Sequence, residues 1–244
     1  MEARNEEAEA APNQIDVWCI SLAAEDDEVE HCRGLLSKDE VERADRFYFE
    51  QHRRRFIIGR GAMRQILSSY AGARPEKLVF TYSTEGKPEL ASAFGQCGIA
   101  FNMSHSADLA LLAVARGQAV GVDVEWVNPD FAIQELAERF FSKNEASMLQ
   151  QVAEEERARA FFSCWTRKEA YLKALGCGLQ LPLDRFEVAF GPGVPPKLLS
   201  IADEPAEVTR WSMYDVAAPE EYAAALVAEG GAHTLRHLQW ERRD

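Results

Sequence analysis

The chain has 244 residues, enough for one large domain or for two of about 120 residues each. Its net charge of −13 argues against a general nucleic-acid-binding protein, because contact with a phosphate backbone needs a basic surface. No apolar run approaches the roughly 20 residues of a membrane span, and the five cysteines include no C-x-x-C pair. We therefore expect no membrane partner, no zinc or disulfide framework, and a reducing, cytoplasmic compartment.

Charge is distributed unevenly along the first half of the chain. Residues 1–13 are acidic and alanine-rich and lack the basic-then-apolar layout of a signal peptide, so we expect a disordered lead-in. Residues 53–64 carry five arginines and no acid (Arg53, Arg54, Arg55, Arg60 and Arg64). A local basic patch in an acidic protein suits a small polyanion better than a polymer, and the alternative is a solvated helix face.

Apolar periodicity predicts the elements of the first half. An alternating stretch predicts a strand over residues 15–21. Ser37 and Glu40 have the spacing of a capping box and predict a helix running towards Asp45. The elements expected after it are a helix at about 51–70, a strand at 77–82, a turn at 84–88, a strand at 101–105 and a buried strand at 109–115.

The second half opens with V-G-V-D-V-E-W-V at residues 120–127, which predicts a strand with its valines on one face. Ser142 and Glu145 form a second capping-box pattern. Helices are expected at 131–141, 142–152 and 155–175, and strands at 186–190, 208–216, 222–227 and 235–240. Helices followed by strands in each half predict an α+β fold of two lobes, residues 14–119 and 120–244, with no sequence repeat visible between them.

Two carboxylates share the other face of the strand predicted at 120–127. Asp123 and Glu125 are two residues apart, a span of about 6.6 Å, so the longer glutamate side chain can converge with the aspartate on one cation. Mg²⁺ is bound in this way, by a few carboxylates together with water and phosphate oxygens. The alternative is an edge strand with a polar outer face.

The stretch W-T-R-K-E-A-Y-L-K-A-L-G-C-G-L, residues 165–179, predicts the end of the last long helix. Trp165, Glu169 and Lys173 recur every four residues and share one helix face. Gly176 and Gly178 are suited to the left-handed conformation that ends a helix. Glu169 offers a third carboxylate, whereas the alternative is a core tryptophan beside a surface ion pair.

The stretch N-M-S-H-S at residues 102–106 lies where an apolar strand ends in small polar residues. His105 can contact a phosphate or a hydroxyl there, although a loop histidine can also be merely solvated. Ser104, His105 and Asp123 do not predict a hydrolase triad, because no G-x-S-x-G turn is present. The stretch Gly59-Arg60-Gly61 lacks the further glycine and the preceding strand of a dinucleotide-binding loop.

Three blocks of the sequence resemble the signature blocks of the Sfp-type 4′-phosphopantetheinyl transferases. They are F-N-M-S-H-S at 101–106, G-V-D-V-E at 121–125 and the stretch at 165–179, with E-G-K-P at 85–88 before them and E-R-F-F-S-K-N-E at 138–145 between them. The resemblance covers roughly residues 15–230. It implies a pseudo-dimer of two similar α/β lobes with the active site in the cleft between them.

The resemblance also implies an activity. Such an enzyme moves 4′-phosphopantetheine from coenzyme A to a serine of an apo acyl, peptidyl or aryl carrier protein and releases 3′,5′-ADP. Asp123, Glu125 and Glu169 would bind Mg²⁺, and Glu169, directly or through metal-bound water, would take the serine proton. The catalytic residues implied are Glu169, Lys173 and His105. The residues implied in coenzyme A binding are Arg60, Gly86, Lys87, Asn102, Ser104, His105, Asp123, Lys168 and Lys173.

Some expectations from the resemblance are less specific. A basic residue is common in the family near the position of Glu40, so here only Arg43, Arg46 and the later arginines can bind phosphate on that side. Glu145 matches an acidic position of unsettled role. The carrier would dock on residues 128–145 and on the loop after Gly176, where Phe131, Phe140, Phe141 and Leu179 are candidate contacts or core residues. Two fused lobes predict a monomer.

Two other functions remain open at this point. A catalytically inactive protein that binds coenzyme A or a carrier would act as an assembly factor, but it has no reason to keep three carboxylates and a lysine. A metal-dependent phosphohydrolase would release phosphate from coenzyme A without any carrier protein.

Overall fold

The computed structural model describes residues 13–84, 86–129, 131–176, 181–202 and 204–242. The predicted lead-in, apart from Asn13, lies outside these ranges, as do Gly178 and Leu179. Across the described ranges, no helix combines the length and the apolar character needed to cross a membrane.

The first lobe contains a strand, three helices, a hairpin and two further strands. They are β1 (Gln14–Ser21), α1 (Asp26–Leu35), α2 (Lys38–Ala44), α3 (Glu50–Ala71), β2 (Phe80–Tyr82), β3 (Pro88–Leu90), β4 (Ile99–Ser106) and β5 (Leu109–Arg116). The second lobe contains β6 (Val120–Trp126), α4 (Ile133–Phe140), α5 (Lys143–Gln150), α6 (Glu154–Leu175), β7 (Phe186–Ala189), β8 (Lys197–Ile201), β9 (Trp211–Asp215) and β10 (Tyr222–Glu229). The last strand is β11 (Thr234–Gln239).

The two lobes repeat one order of elements. Each has a strand, two short helices, a helix of 22 residues, a two-stranded hairpin and two more strands. The strand order is β1-β5-β4 in the first sheet and β6-β10-β9 in the second. In each lobe the last of these strands therefore lies between the first strand and the strand that precedes it in the chain. The predicted α+β pseudo-dimer is confirmed, and the repeat lies in topology rather than in sequence.

The last strand departs from the predicted lobe boundaries. β11 pairs in parallel with β1, from Gln14 opposite Thr234 to Cys19 opposite Gln239. Arg236 anchors it, because its Nε and Nη2 donate to the two oxygens of the fully buried Asp16 carboxylate at 2.8 and 2.6 Å. The boundaries 14–119 and 120–244 stay a prediction, in which β11 is a strand of the second segment that joins the sheet of the first.

A buried ion pair braces the first lobe. Glu40 accepts a hydrogen bond from the Ser37 amide at 2.9 Å, the capping-box contact, and pairs with the buried Arg64 at 2.5 Å. Arg64 also donates to the carbonyls of Pro75 and Leu78, just before the β2–β3 hairpin. The guanidinium thus ties α2, α3 and the hairpin together, which excludes a solvated face at this arginine.

The second lobe contains an equivalent buried ion pair formed by different residues. Glu145 accepts from the Ser142 amide at 3.0 Å and pairs with the Lys168 ammonium at 2.8 Å. Lys168 is fully buried and donates to the carbonyls of Leu183, just before the β7–β8 hairpin, and of Phe186, the first residue of β7. The role of Lys168 in coenzyme A binding stays a prediction, and in this structure its ammonium contacts Glu145 and two backbone carbonyls in the core. Glu145 has a structural role.

Strand β6 lies between α6 and the first sheet. Gly121 allows the contact with α6, because a Cβ at this position would lie 2.2 Å from the Ala170 oxygen and 2.3 Å from the Ala174 nitrogen. The valines on the other face of β6 pack against β5 and β10 in a core shared by both lobes. Both faces of β6 are buried over residues 120–124, so this strand has no solvent-exposed polar face over those residues.

Candidate active site

Strand β6 presents Asp123 at the junction of the lobes. Its carboxylate is almost completely buried, and Oδ1 accepts hydrogen bonds from Ser104 Oγ at 2.7 Å and from Lys173 Nζ at 2.6 Å. Lys173 Nζ also lies 2.8 Å from Ser104 Oγ, which closes a three-membered network. The other oxygen, Oδ2, is buried and has no hydrogen-bond partner among the described residues.

Two residues further along β6, Glu125 is held in a similar way. Its Oε2 accepts a hydrogen bond from Ser106 Oγ at 2.7 Å. The same hydroxyl accepts from the Trp126 amide at 3.0 Å. Each carboxylate of β6 is thus paired with one serine of β4.

Glu169 reaches this region from α6, one helical turn before Lys173. Burial raises the pKa of its carboxyl, and the negative charges of Asp123 and Glu125 raise it further. Burial also raises the pKa of Asp123 and of Glu125, although hydrogen bonds and the Lys173 charge act in the opposite direction. The three predicted metal ligands therefore repel one another electrostatically in a poorly solvated site.

The donor set suits a hard divalent cation. Within the described ranges, no three acidic, histidine or cysteine side chains are already grouped closely enough to chelate an ion. Asp123 nevertheless offers a buried oxygen without a partner, and Mg²⁺ prefers carboxylate oxygens. Positive charge beside these carboxylates would relieve the repulsion between them.

These side chains line a cavity of about 780 Å³ between β4, β6, α6 and the segment that follows α6. Trp165 and Phe140 supply apolar wall, with their rings edge to face at 5.7 Å. Arg139, at the end of α4, adds a cation that the sequence argument did not single out. A second cavity of about 760 Å³ lies on another face of α6, beside Arg159 and Arg167, and none of the predicted site residues lines it.

His105 belongs to the same cavity. It is neighbour to both serines of β4 in sequence, but its side chain points to the other face of the strand. Partial burial lowers the pKa of its imidazole, and the positive charges of Lys173 and Arg55 lower it further. The ring is therefore uncharged at neutral pH, and Arg55 is identified as a cation close to it.

The β2–β3 hairpin brings Lys87 to the end of α6. Gly86 has a φ of 80°, a left-handed conformation that glycine adopts freely in this turn. Lys87 Nζ donates to the Lys173 carbonyl at 2.6 Å and to the Val120 carbonyl at 3.2 Å, and burial lowers its pKa. Gly86 and Lys87 do not line the described cavity, but Lys87 contacts the backbone of Lys173, whose side chain does.

Arg60 and Asn102 are placed differently. Arg60 pairs with Glu40, donates to the Tyr82 hydroxyl at 2.8 Å and lies over the Phe80 ring. Asn102 Oδ1 accepts the Val122 amide proton at 2.9 Å, so it joins β4 to β6. Neither residue is among those that line the described cavity.

Each arginine of the segment at 53–64 forms an ion pair with an acid outside it, which is near in sequence for Arg53 and distant for the other four. The ion pairs are Arg53 with Glu50, Arg54 with Asp26, Arg55 with Asp108, and Arg60 and Arg64 with Glu40. The predicted local basic patch therefore has an acidic partner at each of its arginines. Long-range pairing of this kind leaves no signal within the segment itself.

Two family models together match most of the chain. The model for the N-terminal region of 4′-phosphopantetheinyl transferases matches residues 23–117, and that for the 4′-phosphopantetheinyl transferase superfamily matches residues 119–227. The transferase HetI of Nostoc sp. is 39% identical over 219 residues, which cover 90% of this chain and 89% of HetI. The chain belongs to the 4′-phosphopantetheinyl transferase family. The family predicted from the three sequence blocks is thus confirmed.

Other relatives of this 4′-phosphopantetheinyl transferase are less similar. Sfp of Bacillus subtilis is 32% identical over 165 residues, covering 66% of this chain and 70% of Sfp. Among solved structures, the holo-[acyl-carrier-protein] synthase of Thermotoga maritima matches at 23% identity and a TM-score of 0.36, over 46% of this chain and 62% of that one. The boundary between the two family models falls in the connection from β5 to β6.

Proposed function

We propose that this transferase moves the 4′-phosphopantetheine group of coenzyme A to a serine hydroxyl of an apo acyl or peptidyl carrier protein, with Mg²⁺, and releases 3′,5′-ADP. The observation that carries the proposal is the convergence of Asp123, Glu125, Glu169 and Lys173 on one cavity between the lobes. The names of HetI and Sfp, both 4′-phosphopantetheinyl transferases, support it.

Asp123, Glu125 and Glu169 would hold the Mg²⁺ ion. When bound, the ion would neutralise negative charge on the diphosphate of coenzyme A and so favour attack on its β-phosphorus. The unpartnered Oδ2 of Asp123 and the raised pKa values of the three carboxyls support this assignment.

The chain's own groups account for the proton and the leaving group. Glu169 lines the cavity and has no hydrogen bond to another described residue, so its carboxylate would take the serine proton, directly or through metal-bound water. The serine oxygen bonds to the β-phosphorus as the bond from that phosphorus to the bridging oxygen breaks. Lys173 would then stabilise the negative charge that the bridging oxygen carries away on 3′,5′-ADP.

Two cations and a neutral imidazole suit the rest of coenzyme A. We assign its phosphates to the cations Lys87 and Arg55 and to an N–H of the uncharged His105 ring, because Lys87 contacts the end of α6 and Arg55 is close enough to shift the pKa of His105. Ser104 would serve mainly to orient Asp123, and Asn102 to join the strands. Arg60 would need to leave Glu40 and Tyr82 before it could bind a phosphate.

The carrier protein would dock at the open side of the cavity near α4. Phe131 is 46% exposed, whereas Phe141 is 4% exposed and stacks on Phe161, so Phe141 is a core residue. Arg139 and Phe140 line the cavity and offer a cation and an aromatic ring to the partner. We further propose a monomer, because two lobes of one chain already form the cavity, and a cytoplasmic location, in keeping with the free thiols of Cys19, Cys32 and Cys164.

The test is incubation with coenzyme A, Mg²⁺ and a panel of apo-carrier proteins from different pathways, followed by mass spectrometry of each carrier. We expect one phosphopantetheine on the carrier serine, lost when the metal is chelated. Absence of any mass gain across the panel would contradict the transfer activity. Binding without transfer would identify an assembly factor, and consumption of coenzyme A without a carrier would identify a phosphohydrolase.

A further inference from the structure

We infer that Ser106 is a positioning residue that fixes the Glu125 carboxylate for metal binding across the junction of the two lobes. The inference rests on the proposed function, since it assigns Glu125 to the Mg²⁺ ion. It is carried by the contacts that β4 makes with β6.

The two sheets meet at their edges without a shared backbone ladder. β4 is an edge of the sheet β11-β1-β5-β4, and β6 is an edge of the sheet β6-β10-β9. Side chains of β4 take the place of main-chain partners: Asn102 Oδ1 accepts the Val122 amide proton and Ser106 Oγ accepts that of Trp126. Asn102, Ser104 and Ser106 alternate along β4, so they lie on the one face that meets β6.

The hydroxyl of Ser106 is fixed from both sides. A serine hydroxyl has one proton to donate and lone pairs with which to accept. Here the oxygen accepts from the Trp126 amide, which belongs to the backbone of β6, and the proton is directed to Glu125 Oε2 at 2.7 Å. The backbone of β6 thus locates the hydroxyl, and the hydroxyl locates the carboxylate of the preceding residue.

Glu125 depends on this contact more than Asp123 depends on Ser104. Asp123 is 2% exposed and is also bound to Lys173 Nζ, so two partners and the surrounding core restrict it. Glu125 is less buried, has a longer side chain, and forms no ion pair with another described residue in this structure. Removal of the Ser106 hydroxyl should therefore release the Glu125 carboxylate while leaving Asp123 in place.

The experiment compares Ser106→Ala with Ser106→Thr, which keeps the hydroxyl, and with Ser147→Ala at an exposed position on α5. Two quantities are measured: the Mg²⁺ concentration that gives half-maximal transfer, and Mn²⁺ binding to the coenzyme A complex by electron paramagnetic resonance. Loss of a group that orients a metal ligand typically weakens metal affinity by about 10–100-fold. We expect a loss of about tenfold for S106A, with kcat at saturating metal and KM for coenzyme A within about twofold of the wild type.

S106T and S147A should retain the metal affinity of the wild type. If S106A fails to fold, Ser106→Cys takes its place, because a thiol is a weak donor and acceptor and should reproduce the loss of affinity. Unchanged metal affinity in S106A or S106C would overturn the inference, as would equal losses in S106A and S106T. A wild-type protein that modifies no carrier would instead contradict the proposed function. The Mn²⁺ binding measurement would still test the role of Ser106, because it does not depend on transfer.

Discussion

The side chains of the cavity are arranged for chemistry at the expense of stability. Glu169, Asp123 and Glu125 all have pKa values raised first by burial, so each carboxylate is harder to ionise in the folded protein than in the unfolded chain. A raised pKa stabilises the fold only while the group is protonated. This contribution is complete below the unfolded pKa and is lost as the pH rises through the folded value.

Glu169→Gln should therefore separate activity from stability. We expect at least a ~100-fold loss of transfer, because a general base contributes about 10²–10⁴-fold. At pH 7 the variant should be more stable than the wild type, with a melting temperature higher by about 2–4 °C for each kcal/mol gained. The gain should vanish below about pH 4, where the carboxyl is protonated in both states.

Mass spectrometry of the carrier and thermal unfolding at several pH values measure the two effects. Glu221→Gln, at an exposed residue, is the control and should change neither. A variant that is inactive and also less stable at pH 7 would show that Glu169 supports the fold, contrary to the role assigned to it.

At the scale of secondary structure, the contact between α6 and β6 decides whether the three candidate metal ligands face one cavity. Gly121→Ala would place a methyl group within 2.3 Å of backbone atoms of Ala170 and Ala174, which cannot move aside like a flexible side chain. Overpacking of a core typically costs about 1–3 kcal/mol. We expect a loss of that size in the free energy of unfolding by urea, together with lower activity, because α6 carries Glu169 and β6 carries Asp123.

Gly34→Ala is the matched control for this substitution. Gly34 lies in α1, and a Cβ there would meet no atom within 4 Å. Alanine is the better helix former by about 1 kcal/mol, so this variant should be unchanged or more stable. Similar urea midpoints for G121A and the wild type would mean that α6 can shift without consequence.

The buried pair Lys168–Glu145 belongs to the same scale, because it ties α5 and α6 to the segment before β7. Lys168→Met leaves the Glu145 carboxylate buried and unpaired, and we expect a loss of about 3–5 kcal/mol in stability. The double variant Lys168→Met with Glu145→Gln should recover part of this loss, because it removes the unpaired charge. Urea unfolding of K168M, E145Q and the double variant measures the coupling energy between the two residues. A stable K168M variant with weakened coenzyme A binding would instead support the predicted role of Lys168 in binding coenzyme A.

Sequence patterns predicted the elements whose apolar positions recur regularly. α3, α6, β5 and β6 all lie within a few residues of their predicted bounds. α1 was missed because its first turn is acidic and few of its residues are apolar, and β8 because its five residues carry little alternation. Capping boxes were reliable, since the Ser37 and Ser142 contacts with Glu40 and Glu145 are local.

At the scale of the whole molecule, what escaped prediction was long-range pairing. The parallel partner of β1 is β11, which lies at the other end of the chain, and no local pattern identifies it. The serines of β4 were seen near His105, but their contacts with β6 depend on how the two sheets meet. The three candidate metal ligands could be named from motifs, whereas their orientation required the fold.

The net charge of the protein bears on how a carrier protein would dock. Carrier proteins are acidic around their serine, and this chain carries a net charge of −13, so long-range attraction cannot bring the two together. At physiological salt, charges separated by more than about 8 Å are screened, and a cation at the mouth of the cavity can act locally. Arg139 is such a cation, at an exposed position beside Phe140 on the rim.

Arg139→Glu should raise the KM for the carrier protein by about tenfold, equivalent to 1.4 kcal/mol, because it places a like charge at the contact. KM for coenzyme A and the melting temperature should stay close to wild-type values, since Arg139 is exposed. Arg74→Glu makes the same charge change on the first lobe, where the side chain is 74% exposed, and should leave both KM values unchanged. Steady-state transfer assays with each substrate varied in turn measure these values. Equal effects of the two substitutions would mean that the carrier senses only net charge, and docking at α4 would then be excluded.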